Sequence, residues 1–347
     1  MAIRAPSQDG TVLVAGAGGF IGGHLVARLL AEGRDVRAVD VKPLDAWHQL
    51  HPAARNVRSD LALREECLRA AAGVREVYNL AADMGGIGFI ENNRAACMLS
   101  VLINTHLLLA AREHGAARYF YASSACVYPA YRQDDARVTP LREDMACPAQ
   151  PEDGYGWEKL FSERMCRHFA EDFGMTLRVA RFHNVYGPHG SWDDGREKAP
   201  AALCRKVARA VRDGADAVEV WGDGSRTRSF MYVDDCVEGI RRIMDGDVAE
   251  PLNLGTAELV TVERLARLVQ EVAGVRLRHR YDLTAPQGVH GRNSDNTLIR
   301  SALGWEPGIP LAQGLVPTYA WIAEQVAQAD PVVRRPAAVK AAAVRRR

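Results

Sequence analysis

Lysine is scarce in this chain. Five lysines, at positions 42, 159, 198, 206 and 340, stand against 39 arginines. Where a plain positive charge suffices the sequence uses arginine, so a retained lysine draws attention, because only lysine readily releases its proton near neutral pH. Lys159, Lys198 and Lys206 fall in or beside the motifs below. An excess of one charge is also lacking: the net charge is +1, which provides no field to draw the chain to nucleic acid or a membrane. The basic residues that do cluster, Arg334-Arg335 and Arg345-Arg346-Arg347, read as a solvated tail. No apolar run approaches the length of a membrane span, and the first ten residues lack a signal-peptide core. The seven cysteines are odd in number and contain no Cys-x-x-Cys, which suggests neither a disulfide framework nor a zinc site. These absences lead to the expectation of a soluble protein of the reducing cytoplasm with no metal centre.

What is present is a pattern of alternating strands and helices. Thr11–Ala15 is a short apolar strand, Gly16–Gly22 a glycine-rich turn, and 23–32 a helix stopped by Gly33. Strands follow at 35–40, 76–81, 118–122 and 177–181, with helices near 64–72, 91–114 and 155–173. This spacing predicts an α/β fold, a doubly wound parallel sheet. After about residue 182 Gly, Pro and Trp become frequent, although helices at 199–213 and 261–273 and a strand at 218–221 remain visible. The expected division is a dinucleotide-binding domain over 11–182 and a smaller, discontinuous C-terminal α/β substrate-binding domain over 183–325. Segments near 215–250 interleave with the first domain, and 1–10 and 328–347 are tails.

Gly16-x-x-Gly19-x-x-Gly22 lies between the first strand and helix, with Phe20 and Ile21 inside it. Glycines let the backbone turn tightly against a pyrophosphate, and the helix N-terminus presents N–H groups and the positive dipole end. Asp40, at the end of the second strand, is the acid expected to bind both ribose hydroxyls and repel a 2′-phosphate, which favours NAD; Arg37 and Lys42 nearby weigh toward NADP. Asp60 is either a contact to the adenine ring or an ordinary loop acid. The domain is therefore expected to be Rossmann-like.

Tyr155-Gly-Trp-Glu-Lys159 sets Tyr and Lys four apart on one helix face. A nearby ammonium is expected to lower the tyrosine pKa toward neutrality, so that the phenolate takes a proton from a substrate hydroxyl as hydride leaves the same carbon. Ser124 supplies a hydroxyl to hold that oxygen. Alone, such a pair reads as a surface pair; behind the glycine turn it reads as a hydride-transfer set.

With Gly16–Gly22, Asn79-Leu-Ala81-Ala82, Ser123-Ser124 and Tyr155/Lys159, the chain resembles the extended short-chain dehydrogenase/reductase superfamily over roughly 11–325. Within it, Ala81–Gly86, Ala122–Pro129, Arg181–Pro188, Gly195–Ala201, Trp221–Gly224 and Gly291–Asn296 are similar to strings of the GDP-mannose 3,5-epimerase family. The resemblance implies NAD as cofactor, with Ala81 beside it, a GDP-hexose substrate and a homodimer paired through the helices near 91–114 and 155–173. It also implies that Cys126 and Lys198 are base and acid on opposite faces of one sugar ring. Oxidation at C4 makes the protons on C3 and C5 acidic; Cys126 removes one and Lys198 returns one. By the same resemblance Gly85, Ser124, Asn184, Glu197, Lys198 and Lys206 contact the sugar nucleotide, and Arg228 and Arg292 meet its pyrophosphate or are solvated. Dehydratase relatives carry an acid pair where this chain has Ala125 and Cys126. A 4-epimerase or 4,6-dehydratase stays as the alternative, and a non-catalytic NAD-binding regulator is the reading of a different class. His183 reads as structural, and Asp234-Asp235 as capping the helix that follows.

Overall fold

The computed structural model describes residues 10–47 and 49–329. The first half of the chain runs β1 (Thr11–Ala15), α1 (Phe20–Ala31), β2 (Asp35–Asp40), β3 (Arg55–Arg58), α2 (Arg64–Ala71), β4 (Val74–Asn79), α3 (Ile87–Asn92), α4 (Arg94–Glu113), β5 (Arg118–Ser124), α5 (Asp153–Phe173) and β6 (Thr176–Phe182). It continues with β7 (Asn184–Tyr186), α6 (Ala199–Asp213), β8 (Ala217–Trp221), β9 (Thr227–Tyr232), α7 (Val233–Asp245), β10 (Leu252–Leu254), β11 (Leu259–Thr261), α8 (Val262–Ala273), β12 (Arg278–Asp282), β13 (Gly291–Arg292), α9 (Thr297–Leu303) and α10 (Leu311–Ala329). The basic tail beyond 329 and most of the expected N-terminal tail lie outside the described residues.

Seven parallel strands form the central sheet in the order β10-β6-β5-β4-β1-β2-β3. The chain winds outward from β1 through β2 to β3, then returns to β4 and winds the other way. The reversal falls between β1 and β4, and ligands of such sheets bind outside the strand ends at that point. Both faces are covered. Leu25, Leu29, Ile240 and Ile243 belong to the core on one face, and Cys67, Leu107, Leu108 and Cys166 to the core on the other. The seventh strand, β10, pairs with β6 from well downstream, and α7 packs against α1. Opposite the strand ends, β9 pairs with β7, β11 and β13, β8 pairs with β12, and α6, α8 and α10 pack together.

Several expectations change here. The first helix starts at Phe20, three residues early, because its first turn is built from the glycine loop itself. The long helix expected over 91–114 is α4, which begins at Arg94, and the short α3 precedes it. Asn93 separates the two at φ −131°, ψ 39°, and its side-chain amide donates to the Phe89 carbonyl at 2.8 Å, competing with the backbone ladder. α4 is 20 residues long and contains an 18-residue stretch of mean hydropathy 1.5, enough by length and composition to cross a membrane, contrary to the sequence reading. In the fold it packs against α2 and α5. Asp234 and Asp235 lie in the first turn of α7 without capping it. The Asp235 carboxylate instead accepts the Gly308 and Ile309 N–H groups at 2.9 and 2.7 Å, and burial raises its pKa.

Candidate active site

The glycine loop shows what it is shaped to hold. Gly16 adopts φ +82°, and a Cβ there would lie 2.9 Å from the Ala81 nitrogen. A Cβ on Gly22 would lie 2.1 Å from the Gly16 carbonyl oxygen, so the helix can approach the loop this closely only with glycine. Gly19 N-caps α1 with no side chain on its N–H groups, and the first intrahelical bond runs from Gly23 N to Gly19 O. The N–H groups of Phe20, Ile21 and Gly22 therefore have no partner within the helix, the condition for an anion site. Asp40 is anchored beside the loop: its carboxylate accepts the Gly18 and Lys42 N–H groups, both at 3.0 Å. Asp60 is exposed after β3 and accepts the Ala62 N–H at 2.9 Å in its own turn. A glycine-rich loop, N–H groups unpaired within the helix and a fixed acid fit a dinucleotide; among the described residues no cluster of three or more His, Cys, Asp or Glu fits a metal.

A cleft opens from the end of β5 toward the second layer, lined among others by Ser124, Cys126, Tyr155, Asn184, Lys198 and Arg292. Ser124 ends β5, and its hydroxyl accepts the Cys126 N–H at 3.2 Å, fixing a short turn over 125–127 that presents the thiol. Helix α5 presses on that turn. The Cys126 carbonyl accepts the Glu152 N–H at 2.9 Å, and a Cβ on Gly156 would sit 2.3 Å from the same oxygen. Gly156 thus sets how closely Tyr155 approaches Ser124 and Cys126, a role the Tyr-x-x-x-Lys spacing does not disclose.

Tyr155 and Lys159 are both buried, and the Lys159 ammonium lies 5.5 Å from the Tyr155 ring centre and 4.8 Å from that of Tyr121. The expected lowering of the tyrosine pKa is not met. Burial pushes Tyr155 well above its ordinary value, with Cys126 and Glu158 adding to the rise and a Ser124 hydrogen bond opposing it. Burial is the main cause, and Glu158, which sequence reasoning passed over, adds to it. Glu158 is buried 3.5 Å from the Lys159 ammonium, and its other oxygen accepts from Tyr121 and Ser162. A carboxylate beside the lysine offsets the charge that would stabilise a phenolate.

Lys198 N-caps α6 and is half-buried over the whole residue, with its side chain lining the cleft. Burial lowers its pKa, and the nearby Cys126 and Cys236 pull it back up. Beside it, Glu197 accepts from Arg205 at 2.5 Å while its second oxygen is buried with no hydrogen-bond partner among the described residues. Asn184 donates to the Ser229 carbonyl at 3.1 Å, and Lys206 pairs with Glu219 at 2.9 Å below the Trp221 ring. Gly85 is buried in the cleft wall, where a Cβ would meet Phe89 at 2.8 Å.

The two arginines differ from expectation. Arg292, read as a pyrophosphate ligand, is 7% exposed and points to the reacting end. It donates to the Cys126 sulfur at 3.6 Å and to Gln133 at 2.7 Å, and pairs with Glu152. Neither Gln133 nor Glu152 carries a local sequence signal, because each matters only through the long-range approach of Arg292. Arg228 lines the cleft, yet its donors go to the carbonyls of Thr227, Gln287, Val289 and His290; burial holds its pKa down to about 10. His183 is fully buried against Asn253 at 3.3 Å, and burial lowers its pKa to about 4, so it is neutral.

With this geometry in place, comparison with known proteins narrows the chemistry. Residues 12–255 match the model of the NAD dependent epimerase/dehydratase family. The chain is 45% identical over 328 residues to GDP-mannose 3,5-epimerase 1 of Oryza sativa subsp. japonica, covering 92% of this chain and 84% of that one. It is 44% identical over 322 residues to the GDP-mannose 3,5-epimerase of Arabidopsis thaliana, with the same coverage. Among solved structures, UDP-glucose 4-epimerase of Thermotoga maritima with UDP-glucose superposes with a TM-score of 0.81 at 25% identity, over 91% of this chain and 99% of that one.

Proposed function

The chain belongs to the NAD dependent epimerase/dehydratase family, and we propose that it converts GDP-mannose to GDP-L-galactose, GDP-L-gulose or both by inverting ring carbons next to C4. The observation that carries this reading is that Cys126 and Lys198 line one cleft with Tyr155. A simple 4-epimerase moves only the hydrogen at C4 and has no use for a thiol and an ammonium there.

NAD, which the Gly16–Gly22 loop and Asp40 would hold, would supply a reversible hydride acceptor for the sugar's C4. Tyr155, as the phenolate that the positive charge of bound NAD would favour against the burial that raises its pKa, takes the C4 hydroxyl proton, with the Ser124 hydroxyl beside it. The C4 ketone makes the C5 proton acidic, and Cys126, acting as its thiolate, removes it. Lys198 then delivers a proton to the opposite face. Burial makes that ammonium a readier donor than an exposed lysine. Tyr155 finally returns its proton to O4, so no cofactor is consumed. Once Cys126 has released its proton to solvent and Lys198 has taken one up, the same proton steps at C3 give the second inversion.

Two copies of the chain are proposed to pair through α4 and α5. These packed helices expose Met98, Leu99, Leu102, Trp157, Phe161 and Phe173, large apolar side chains of the kind that mark a partner surface. Lys198 and Arg292 lie outside these two helices.

The test is turnover: GDP-mannose is incubated with the purified protein and the hexoses released by mild acid are identified. Appearance of L-galactose or L-gulose supports the proposal. Accumulation of a 4-keto-6-deoxy sugar, or of the C4 epimer alone, contradicts it.

A further inference from the structure

Lys198 sits at the end of a segment with no strand or helix of its own between β7 and α6, so something must hold it over the cleft. The backbone N–H of Gly86 donates to the Arg196 carbonyl at 2.8 Å. The Arg196 guanidinium donates to Asp83 at 2.6 Å and to the Met84 carbonyl at 3.2 Å. Its central carbon lies 3.8 Å from the centre of the Phe89 ring. Asp194 accepts the Arg196 N–H at 3.0 Å, which shapes the turn that delivers the side chain. The two backbones also touch: a Cβ on Gly86 would lie 2.5 Å from the Glu197 carbonyl oxygen. An exposed ion pair contributes little by itself, and Asp83 and Arg196 are 43% and 39% exposed. Here the pair is joined by a stacked ring and two backbone contacts, all ending on one residue.

We propose that Arg196 is a positioning residue: it latches the Asp83–Phe89 segment onto the Gly195–Lys198 segment and thereby holds Lys198 at the face of the sugar where the proton is returned. This deepens the epimerase reading and rests on it for the nature of the proton step. The latch divides the chemistry in two. Ser124, Cys126 and Tyr155 come from β5, its following turn and α5, elements outside the two latched segments, although α3 also touches α5. Lys198 lies within one of those segments. Loosening the latch leaves C4 oxidation and proton removal by Cys126 in place, while the thiol returns its proton, exchanged with solvent, to the face it came from. The product of that failure is the starting sugar carrying solvent hydrogen at C5.

Arg196→Gln and the unaltered protein are compared in deuterated water with GDP-mannose. In Arg196→Gln, formation of inverted sugar is expected to fall about 10²-fold, the scale of a 1 Å misplacement of a reacting group. Deuterium should still enter C5 of recovered GDP-mannose within about threefold of the unaltered rate, as expected when only the delivering group has moved. Normal inversion, or a parallel loss of inversion and exchange, overturns the latch. Amide hydrogen exchange supplies a readout that needs no turnover: exchange over residues 84–92 should quicken about tenfold or more in Arg196→Gln. Unchanged exchange there overturns the latch even if GDP-mannose proves not to be the substrate. If the unaltered protein neither exchanges nor inverts GDP-mannose, the epimerase reading fails, and the amide measurement still decides the latch.

Discussion

Arg292 donates to the sulfur of Cys126 across 3.6 Å, bringing a two-residue strand 166 positions downstream onto the turn that ends β5. Glu152 and Gln133 hold the guanidinium from its other sides. The thiol is thus oriented by a partner from the second layer of the fold, and the layers must be docked before Cys126 is in place.

Replacing Arg292 by Gln is expected to slow inversion about 10²-fold through loss of that orientation. Removing one partner of a buried pair also leaves Glu152 uncompensated, at a cost of about 3–5 kcal/mol. The double variant Glu152→Gln/Arg292→Gln should recover most of the stability in urea melts and none of the inversion. Substrate-dependent reduction of NAD, followed by absorbance, should persist in the double variant, because Tyr155 serves that step.

Lys198 gives a pH dependence of known sign. Its folded pKa is lowered from 10.5 by burial. As a proton donor it loses function as pH rises through that lowered value, so the alkaline limb of kcat should lie below the ordinary lysine range. For stability the unfolded chain holds more protons between the folded value and 10.5, so stability rises with pH in that window. Below it the cost of the buried ammonium is fully present. Lys198→Met should therefore melt about 2 °C higher than the unaltered protein at neutral pH, with the gap closing as pH approaches 10.5. It should form no inverted product.

Gly156→Ala adds a Cβ 2.3 Å from the Cys126 carbonyl oxygen. The contact is backbone, which cannot swing aside, so α5 must retreat. The expected loss is about 1–3 kcal/mol in denaturant unfolding, the usual cost of overpacking. NAD reduction and inversion should fall together, since Tyr155 and Cys126 are displaced from each other.

Charges placed on the outer face of α4 and α5 should separate the proposed dimer. Leu99 and Phe161 are 60% and 55% exposed, so Leu99→Asp and Phe161→Asp cost the single chain little. Sedimentation should move from twice the chain mass to one chain mass in the double variant, and a sedimenting mass that does not change contradicts pairing through these helices.

What the sequence made legible was local. The glycine turn, Asp40 at a strand end and the Tyr155/Lys159 spacing are short-range patterns, each tied to one turn or one helix face. What it hid depends on burial and distant approach. The separate short helix before Asn93 was missed, and the Asn93 side-chain amide takes a backbone acceptor where the two helices part. The direction of the Tyr155 shift follows from burial and from Glu158, whose neighbours Tyr121 and Ser162 come together only in the packed layer. Arg292 and Arg228 carry the same charge, and only the fold sends one to the thiol and the other to loop carbonyls. Arg196 lies in the Gly195–Ala201 string, but nothing there signals its contacts, since its partners Asp83 and Phe89 lie more than 100 residues away.

The central claim is that Cys126 and Lys198 act on carbon-bound protons after oxidation at C4. Incubation with GDP-mannose in deuterated water, with deuterium located by NMR, addresses it directly. Label is expected at C5, with C3 labelled to the extent that C3 also inverts, and none at C4, because hydride returns there without meeting solvent; Cys126→Ala should abolish the label. Deuterium at C4, or normal labelling of C5 in Cys126→Ala, would contradict it.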